Sequence, residues 1–178
     1  MVLHLANLAA GRKQLVEMTT PARRVLARPM RAASPKFFED VIVSLLLAMG
    51  CGGAAQDAAR ALGRAGDNGG DGVVDQDPLG VDQIYVQAKR YAQTNTISAR
   101  EIRDFFGALN LKKAQNGIFF TTSSFSPSAV QTAKDLSTRI VLIDGEQLSK
   151  LMIKYGVGCR TEEILHLKKI DDEFFEEV

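Results

Sequence analysis

The sequence predicts a single α/β domain, in which a central mixed sheet begins with an antiparallel hairpin and is flanked by helices. Two strand-like runs, over residues 72–77 and 82–91, are separated by the turn residues "PLG", and this arrangement indicates a hairpin. After residue 96, helical and strand-like segments alternate, which indicates crossovers that cover a sheet with helices. With 178 residues, 46% of them hydrophobic, the chain can bury a core of this kind.

The first element is a helix within "ASPKFFEDVIVSLLLAMGCGG". Ser34 is suited to the N-cap, Pro35 to the first helical position and Gly50 to the end of the helix. Glu39 and Asp40 are expected in the first turn, where the helix dipole favours acids. The apolar residues that recur at helical spacing predict a core face, made of Phe38, Val41, Ile42, Leu45, Leu46 and Met49.

Caps and apolar runs define the segments after the hairpin. Ser98 followed by Glu101 predicts a helix that starts with a capping box, and Ser126 followed by Pro127 predicts a second helix start. The other predicted elements are a buried strand in 116–124, a strand over 139–144, a helix over 145–158 that ends near Gly156, and a weak last strand over 165–170.

The net charge of +1 conceals charged ends. Residues 1–36 hold seven Lys/Arg and one acid, and residues 171–178 hold five acids and no base. We therefore predict a basic linker or truncated leader over 1–33, the folded domain over 34–170 and an acidic tail over 171–178. A basic arm that touches nucleic acid or an acidic membrane surface is the alternative for the first segment.

Several classes of protein are excluded. No apolar run reaches 18 residues and the N-terminus has no basic region before its apolar stretch, which argues against a membrane span and a secretory signal. Cys51 and Cys159 form no CxxC, which favours a reducing cytoplasm over a disulfide framework or zinc site. His4 and His166 lie near opposite ends of the chain and indicate neither a His-based metal site nor a Ser-His-Asp triad.

The second strand of the hairpin carries an unexpected polar pair. Gln87 and Lys89 share one face of a strand, roughly 6 to 7 Å apart. A lysine inside a sheet needs a carboxylate, phosphate or metal-bound water as a partner, and the hairpin register can bring Asp71 beside Gln87. Carboxylate and amide oxygens suit Mg²⁺, and a lysine beside them can orient an attacking water. In the alternative, Asp71 only makes the turn and Lys89 only ends the strand.

"GDNGGDGVVD" followed by "VQAK" resembles the D…QxK signature of the Mrr family of restriction endonucleases, a branch of the PD-(D/E)xK nucleases. The resemblance runs from about Phe37 to Phe175 and includes, in order, "FFEDVIVSLLLAMGCGG", "IYVQAKRY", "EIRDFFGAL", "GIFFTTSSFSPSA" and "RIVLIDGEQLSKLMI". It implies a restriction-endonuclease-like core and a metal-dependent endonuclease that hydrolyses phosphodiester bonds in double-stranded DNA. Mg²⁺, with Mn²⁺ as a substitute, is the implied cofactor, and a homodimer is the implied assembly for cutting both strands.

Carried over by position, the resemblance makes Asp71 the metal-binding acid, Gln87 the second motif residue and Lys89 the motif lysine. The backbone carbonyl of Ala88 completes the expected metal ligands. Glu39 matches an acid that related nucleases place near the metal, with the role of a helix-dipole partner as its alternative. Two other acids, Asp67 and Asp75, are interpreted as a turn acid and a strand-edge acid.

Two departures from the family pattern affect the expected activity. Gly70 stands where the family has an apolar residue, and a second glycine loosens the turn before Asp71. The first 36 residues are too short for the N-terminal winged-helix domain of such enzymes. We therefore expect a catalytic domain that acts on modified DNA when it is joined to a reader domain.

A second group of residues is a candidate for contact with DNA phosphates. Thr122 and Ser123 follow an apolar run, Ser126 starts the next helix and Arg90 follows the motif lysine. Hydroxyls and free N–H groups at a helix N-terminus suit a phosphate. Ordinary helix capping by Ser126 and solvation of Arg90 are the alternatives.

Two other function classes stay open at this point. A truncated or inactive nuclease fold would act only as a binding module for nucleic acid or protein. A nucleotide-binding protein is less consistent with the sequence, because "GDNGGDG" is neither GxGxxG nor a Walker loop. Neither a membrane nor a small-molecule substrate is expected for the nuclease.

Overall fold

The computed structural model describes residues 29–51, 70–75, 82–92 and 94–160, with the backbone alone at positions 70 and 71. The helices are α1 (Pro35–Ala48), α2 (Ala99–Leu111), α3 (Pro127–Asp135) and α4 (Gly145–Tyr155). The strands are β1 (Gly70–Asp75), β2 (Gln83–Lys89), β3 (Thr96–Ile97), β4 (Asn116–Thr121), β5 (Ser124–Phe125) and β6 (Arg139–Ile143). The predicted turn at "PLG", the predicted strand over 165–170 and the acidic tail lie outside the described residues.

A four-stranded mixed sheet forms the centre of the domain, in the order β1-β2-β4-β6. The β1–β2 pair is antiparallel, whereas the β2–β4 and β4–β6 pairs are parallel. The predicted fold class is therefore confirmed: a hairpin opens a mixed sheet, and α2 and α3 connect the parallel strands. A parallel pair formed by β3 and β5 was not predicted, because two-residue strands leave no period in a sequence.

Helices cover the sheet on both faces, and each face has its own apolar core. On one face α1 and α4 pack against alternate residues of β2, namely Ile84, Val86 and Ala88. On the other face α2 and α3 pack around Phe119, and Phe105 meets the ring of Phe119 edge-on at 5.5 Å between centroids. Alternation along β2 therefore assigns its odd-numbered residues to the face that α2 covers.

The predicted caps are present. Ser34 and Ser126 accept hydrogen bonds from the backbone N–H groups of Phe37 and Ala129, and Gly156 ends α4 with a φ of 68°. Gly50, with a φ of 89°, follows α1 as predicted. These local signals were sufficient because each cap depends on residues three or four positions away.

The prediction for α1 was wrong in two details. Glu39 and Asp40 lie beyond the first turn, because the helix begins at Pro35 and no acid occupies its first turn. Asp40 instead pairs with Lys36, 3.3 Å away on the helix surface. Met49 is 38% exposed, whereas Val43 is buried, so the core face is rotated toward Val43.

The described part of the chain starts before the predicted domain boundary. Residues 29–32 form one helical turn, and Met30 is 3% exposed within the core that α1 and α4 share. The Nη1 of Arg90 donates to the carbonyl of Arg31 at 2.7 Å. The folded domain therefore includes residues 29–33, which the sequence assigned to a linker. No helix among the described residues is long and apolar enough to cross a membrane.

Candidate active site

Asp71 and Gln87 occupy directly opposed positions in the hairpin. Their Cα atoms are register partners in the antiparallel β1–β2 pair, and Gly70 is the partner of Ala88. Opposed residues in such a pair are the closest neighbours across two strands. The register on which the predicted site depends is therefore the one that the structure has.

Lys89 lies two residues beyond Gln87, at the end of β2. Both residues are half-buried on the face that α2 covers, whereas the Ala88 between them is 5% exposed on the opposite face. The same alternation that buries Val86 and Ala88 against α1 therefore presents the polar pair together. Next to Lys89 in the sheet is Thr121 of β4.

Lys89 has a carboxylate partner. Its Nζ lies 3.9 Å from Oε1 of Glu101, and the two side chains are 28% and 19% exposed. The same Oε1 accepts a hydrogen bond from the hydroxyl of Tyr91 at 2.9 Å. The need of an in-sheet lysine for a partner was predicted, but Glu101, from the first turn of α2, was predicted only as a capping residue.

Hydrogen bonds hold the Glu101 carboxylate in place at both oxygens. Its Oε2 accepts hydrogen bonds from the backbone N–H of Ser98 at 2.8 Å and from the Ser98 hydroxyl at 3.1 Å. The first of these is the bond that the Glu of a capping box makes to the N-cap residue. Burial disfavours the charged form, but these bonds, the Tyr91 hydroxyl and the Lys89 charge together hold the pKa of Glu101 below its ordinary value. Glu101 is therefore an anion at neutral pH.

Tyr91 is the neutral partner in this cluster. Burial, the hydrogen bond to Glu101 and the charge of that carboxylate all raise the pKa of Tyr91 above its ordinary value. The hydroxyl consequently stays protonated, and it remains a donor toward Glu101.

Thr122 and Ser123 lie next to this cluster, but their hydroxyls are engaged within the protein. Thr122 Oγ1 accepts from the backbone N–H of Tyr91 at 2.9 Å and donates to its carbonyl at 2.7 Å. The Ser123 hydroxyl donates to the carbonyl of Asn95. Both residues are buried, with 3% and 7% of their surfaces exposed. Their contact with DNA phosphate stays a prediction, and these internal bonds do not support it.

The other two phosphate candidates are also engaged. Ser126 caps α3 through Ala129, which is the ordinary role that the sequence allowed. Arg90 is half-buried and directs its guanidinium at the carbonyl of Arg31. To bind a phosphate, the Arg90 guanidinium would have to give up the bond that holds Arg31, in the segment before α1, against the domain.

Glu39 is half-buried on the second turn of α1. This helix packs against the face of β2 opposite to the one that carries Gln87 and Lys89. A role for Glu39 near the metal stays a prediction. Within the described ranges no three His, Cys, Asp or Glu side chains cluster as a metal site. The predicted ligand set is of a different kind, because it consists of one acid, one amide and one backbone carbonyl.

Comparison with known proteins identifies the family of this chain. The sequence model of the Mrr catalytic domain, described as a restriction endonuclease, matches residues 30–152. This chain belongs to the Mrr family of restriction endonucleases. The match begins at the buried Met30, before the boundary predicted at residue 34.

Relatives and solved structures agree with the Mrr assignment. The chain is 41% identical over 143 residues to the type IV methyl-directed restriction enzyme EcoKMrr of Escherichia coli strain K12. That match covers 80% of this chain and 45% of the relative, so the Mrr-family chain described here spans less than half the length of EcoKMrr.

Two solved structures have the same fold. The DNA modification-dependent restriction endonuclease AspBHI superimposes with a TM-score of 0.59 at 19% identity, over 78% of this chain and 37% of AspBHI. The MspJI restriction endonuclease, in complex with a 27-mer oligonucleotide, superimposes with a TM-score of 0.51 at 20% identity, over 75% of this chain and 31% of MspJI.

Proposed function

We propose that this domain is a metal-dependent endodeoxyribonuclease that hydrolyses phosphodiester bonds in double-stranded DNA. The observation that carries the proposal is the register of Asp71 opposite Gln87, with Lys89 beside Gln87 on one face of β2. Membership of the Mrr family supports the reaction class. A two-stranded hairpin end that combines an acid, an amide and a lysine suits phosphoryl chemistry, because the reaction needs bound charge and an oriented water.

Mg²⁺ fits the residues at this position, with Mn²⁺ as a substitute. The Asp71 carboxylate, the Gln87 amide oxygen and the Ala88 carbonyl are all hard oxygen donors, and Mg²⁺ keeps several waters beside such ligands. The metal supplies charge neutralisation at the phosphate and a more acidic water. Lys89 would orient an attacking water toward phosphorus. Glu39 is retained as a further candidate site residue.

Substitution at the hairpin tests the proposal. Cleavage of supercoiled plasmid DNA by the full chain in Mg²⁺ or Mn²⁺ is expected to be lost in Asp71→Ala and in Lys89→Ala. Asp75→Ala is the matched control, because Asp75 lies at the other end of β1 and pairs with Gln83 at 3.1 Å. Metal-dependent DNA cleavage that survives in both site variants would contradict the proposal. DNA binding without any metal response would favour the alternative, a nuclease fold that only binds nucleic acid or protein.

We infer that selection of modified DNA lies outside this domain. EcoKMrr is named as methyl-directed and AspBHI as modification-dependent, but this chain matches less than half the length of either protein. We expect comparable cleavage of methylated and unmethylated plasmid, and a strong preference would place base recognition within this chain.

Cleavage of both strands is proposed to use two copies of the domain, because the hairpin supplies one set of site residues. Sedimentation with DNA is expected to show a dimer, and a protein that stays monomeric should yield nicked rather than linear plasmid. The activity is proposed to operate in the cytoplasm, where Cys51 and Cys159, both free in the structure, would stay reduced.

A further inference from the structure

Glu101 is held more firmly than a surface acid would be. Three hydrogen bonds from Ser98 and Tyr91 fix its two oxygens, and its side chain is 19% exposed. By contrast, Asp104 on the same helix is 71% exposed and makes a surface pair with Arg100. Such surface pairs contribute little because water screens them, so the attraction of Glu101 for Lys89 is the stronger of the two.

The partners of Glu101 are themselves anchored to the sheet. Thr122 holds the backbone of Tyr91 at both its N–H and its carbonyl, and the Thr122 N–H donates to the carbonyl of Lys89 at 3.4 Å. The backbone of Tyr91 therefore cannot move away from α2 without breaking bonds at the end of β2. The carboxylate, Tyr91 and the lysine backbone form one connected unit.

The distance between the charges determines what the pair can do. A separation of 3.9 Å between Nζ and Oε1 is longer than a hydrogen bond. The carboxylate thus attracts the ammonium to one place without accepting its N–H donors. The N–H groups of the Lys89 ammonium can therefore donate to another acceptor. In a nuclease that acceptor is a phosphate oxygen or the attacking water.

We propose that Glu101 is the positioning residue for Lys89, fixing the ammonium beside Gln87 so that it meets the scissile phosphate and water in one orientation. This inference rests on the nuclease function proposed above. Glu101 is not assigned as a metal ligand, because its carboxylate accepts hydrogen bonds from Ser98 and Tyr91 and faces the cation of Lys89. Its effect reaches the reaction through Lys89 alone.

Kinetics of a charge-neutral variant test the effect on the reaction. Glu101→Gln keeps an oxygen to accept from Ser98 but removes the charge that attracts Lys89. Because a misplaced catalytic group costs up to about 100-fold in rate, kcat for plasmid cleavage is expected to fall roughly 10- to 100-fold while KM for DNA changes little. Asp104→Asn, the control on the solvent side of α2, should cut at the wild-type rate.

A second measurement follows Lys89 itself and needs no activity. Labelling with an amine-reactive reagent, quantified for each lysine by peptide mass spectrometry, is expected to speed up at Lys89 in Glu101→Gln. Lys113, exposed after the end of α2, should label equally in the wild type and in both variants. Equal labelling of Lys89 in the wild type and Glu101→Gln would overturn the proposal.

The outcomes separate this inference from the proposed function. If the wild type cuts DNA and Glu101→Gln cuts as fast as Asp104→Asn, the positioning role is wrong and the nuclease function stands. If the wild type shows no metal-dependent cleavage, the nuclease function fails, and with it the catalytic purpose of the contact. A KM that rises while kcat is unchanged would contradict the positioning role, because that pattern marks DNA binding.

Discussion

Thr122 bonds both backbone polar groups of Tyr91: its hydroxyl accepts from the N–H at 2.9 Å and donates to the carbonyl at 2.7 Å. One buried side chain thereby substitutes for a sheet partner just past the last residue of β2. The chain after Lys89 is consequently held where Tyr91 can reach Glu101. The stability of this contact controls the geometry of the candidate site.

Thr122→Val should lower the free energy of unfolding by about 1–3 kcal/mol, because the isosteric valine leaves the Tyr91 N–H and carbonyl without their partner. Urea unfolding followed by circular dichroism measures the change. Thr96→Val, at an exposed position of β3, is the matched control and should stay within about 0.5 kcal/mol of the wild type. Equal effects of the two substitutions would contradict the role of the Thr122 hydroxyl.

Gly145→Ala should destabilise the domain, because a Cβ at this position would lie 2.6 Å from the carbonyl oxygen of Thr122. The backbone on both sides must then separate at the point where α4 begins. Gly107→Ala, at an exposed position of α2 with nothing within 4 Å of the added carbon, should instead stabilise by about 0.5–1 kcal/mol, since alanine favours a helix. Thermal unfolding of the two variants should therefore move Tm in opposite directions.

Gln87→Glu should couple stability to the metal. The new carboxylate stands opposite Asp71 in the register, and like charges directly opposed across strands repel. Tm in EDTA should fall, and added Mg²⁺ or Mn²⁺ should raise Tm more than in the wild type, because binding to the folded state stabilises it.

The control for this charge change is present in the same hairpin. Gln83 faces Asp75 at the other end of the strands, and Gln83→Glu creates the same pair of acids at an exposed position away from Lys89. It should show a smaller metal response. If Gln83→Glu responds as strongly as Gln87→Glu, the metal preference does not belong to the proposed site.

The contribution of Glu101 to stability should depend on pH. Its pKa is lowered in the folded domain from a reference value of 4.5, so the folded state favours the charged form. That contribution is fully present above pH 4.5 and is lost as the pH falls through the lowered folded-state value. The stability gap between the wild type and Glu101→Gln should accordingly be largest near neutrality and should close in acid.

Urea unfolding of both proteins across this range measures the gap. Since Glu101→Gln has no titrating group at this position, its curve supplies the reference for the remaining acids of the domain. A gap that is unchanged in acid would show that the loss in Glu101→Gln comes from packing or hydrogen bonding rather than from charge.

The parts of the fold and site that depend on near neighbours were predictable from the sequence. The capping serines, the end of α4 at Gly156 and the alternation that pairs Gln87 with Lys89 all follow from residues a few positions apart. The register of Asp71 with Gln87 was predictable because a hairpin brings neighbouring strands together. The D…QxK signature consists of residues in this same hairpin, which explains why it was recognisable in the sequence.

The features that were missed depend on distant parts of the chain. Glu101 meets Lys89 only because α2 packs across the sheet, and its sequence context indicates no more than a helix cap. The bond of Thr122 to Tyr91 joins positions 31 residues apart. Met30 stands between Pro29 and Arg31 in a segment without a helical pattern of apolar residues, so no periodicity marks it as part of the core. An acid on the helix that follows a QxK strand is the signal that could have indicated Glu101.

The bond from Arg90 to the carbonyl of Arg31 has a practical consequence for the design of shorter fragments of this protein. Arg90 directly follows Lys89, so this bond ties the segment before α1 to the end of the strand that carries the candidate site. A fragment cut to begin at residue 34 would remove Met30 from the core and leave the Arg90 guanidinium without its acceptor. Loss of activity in such a fragment would therefore report damage at its new terminus.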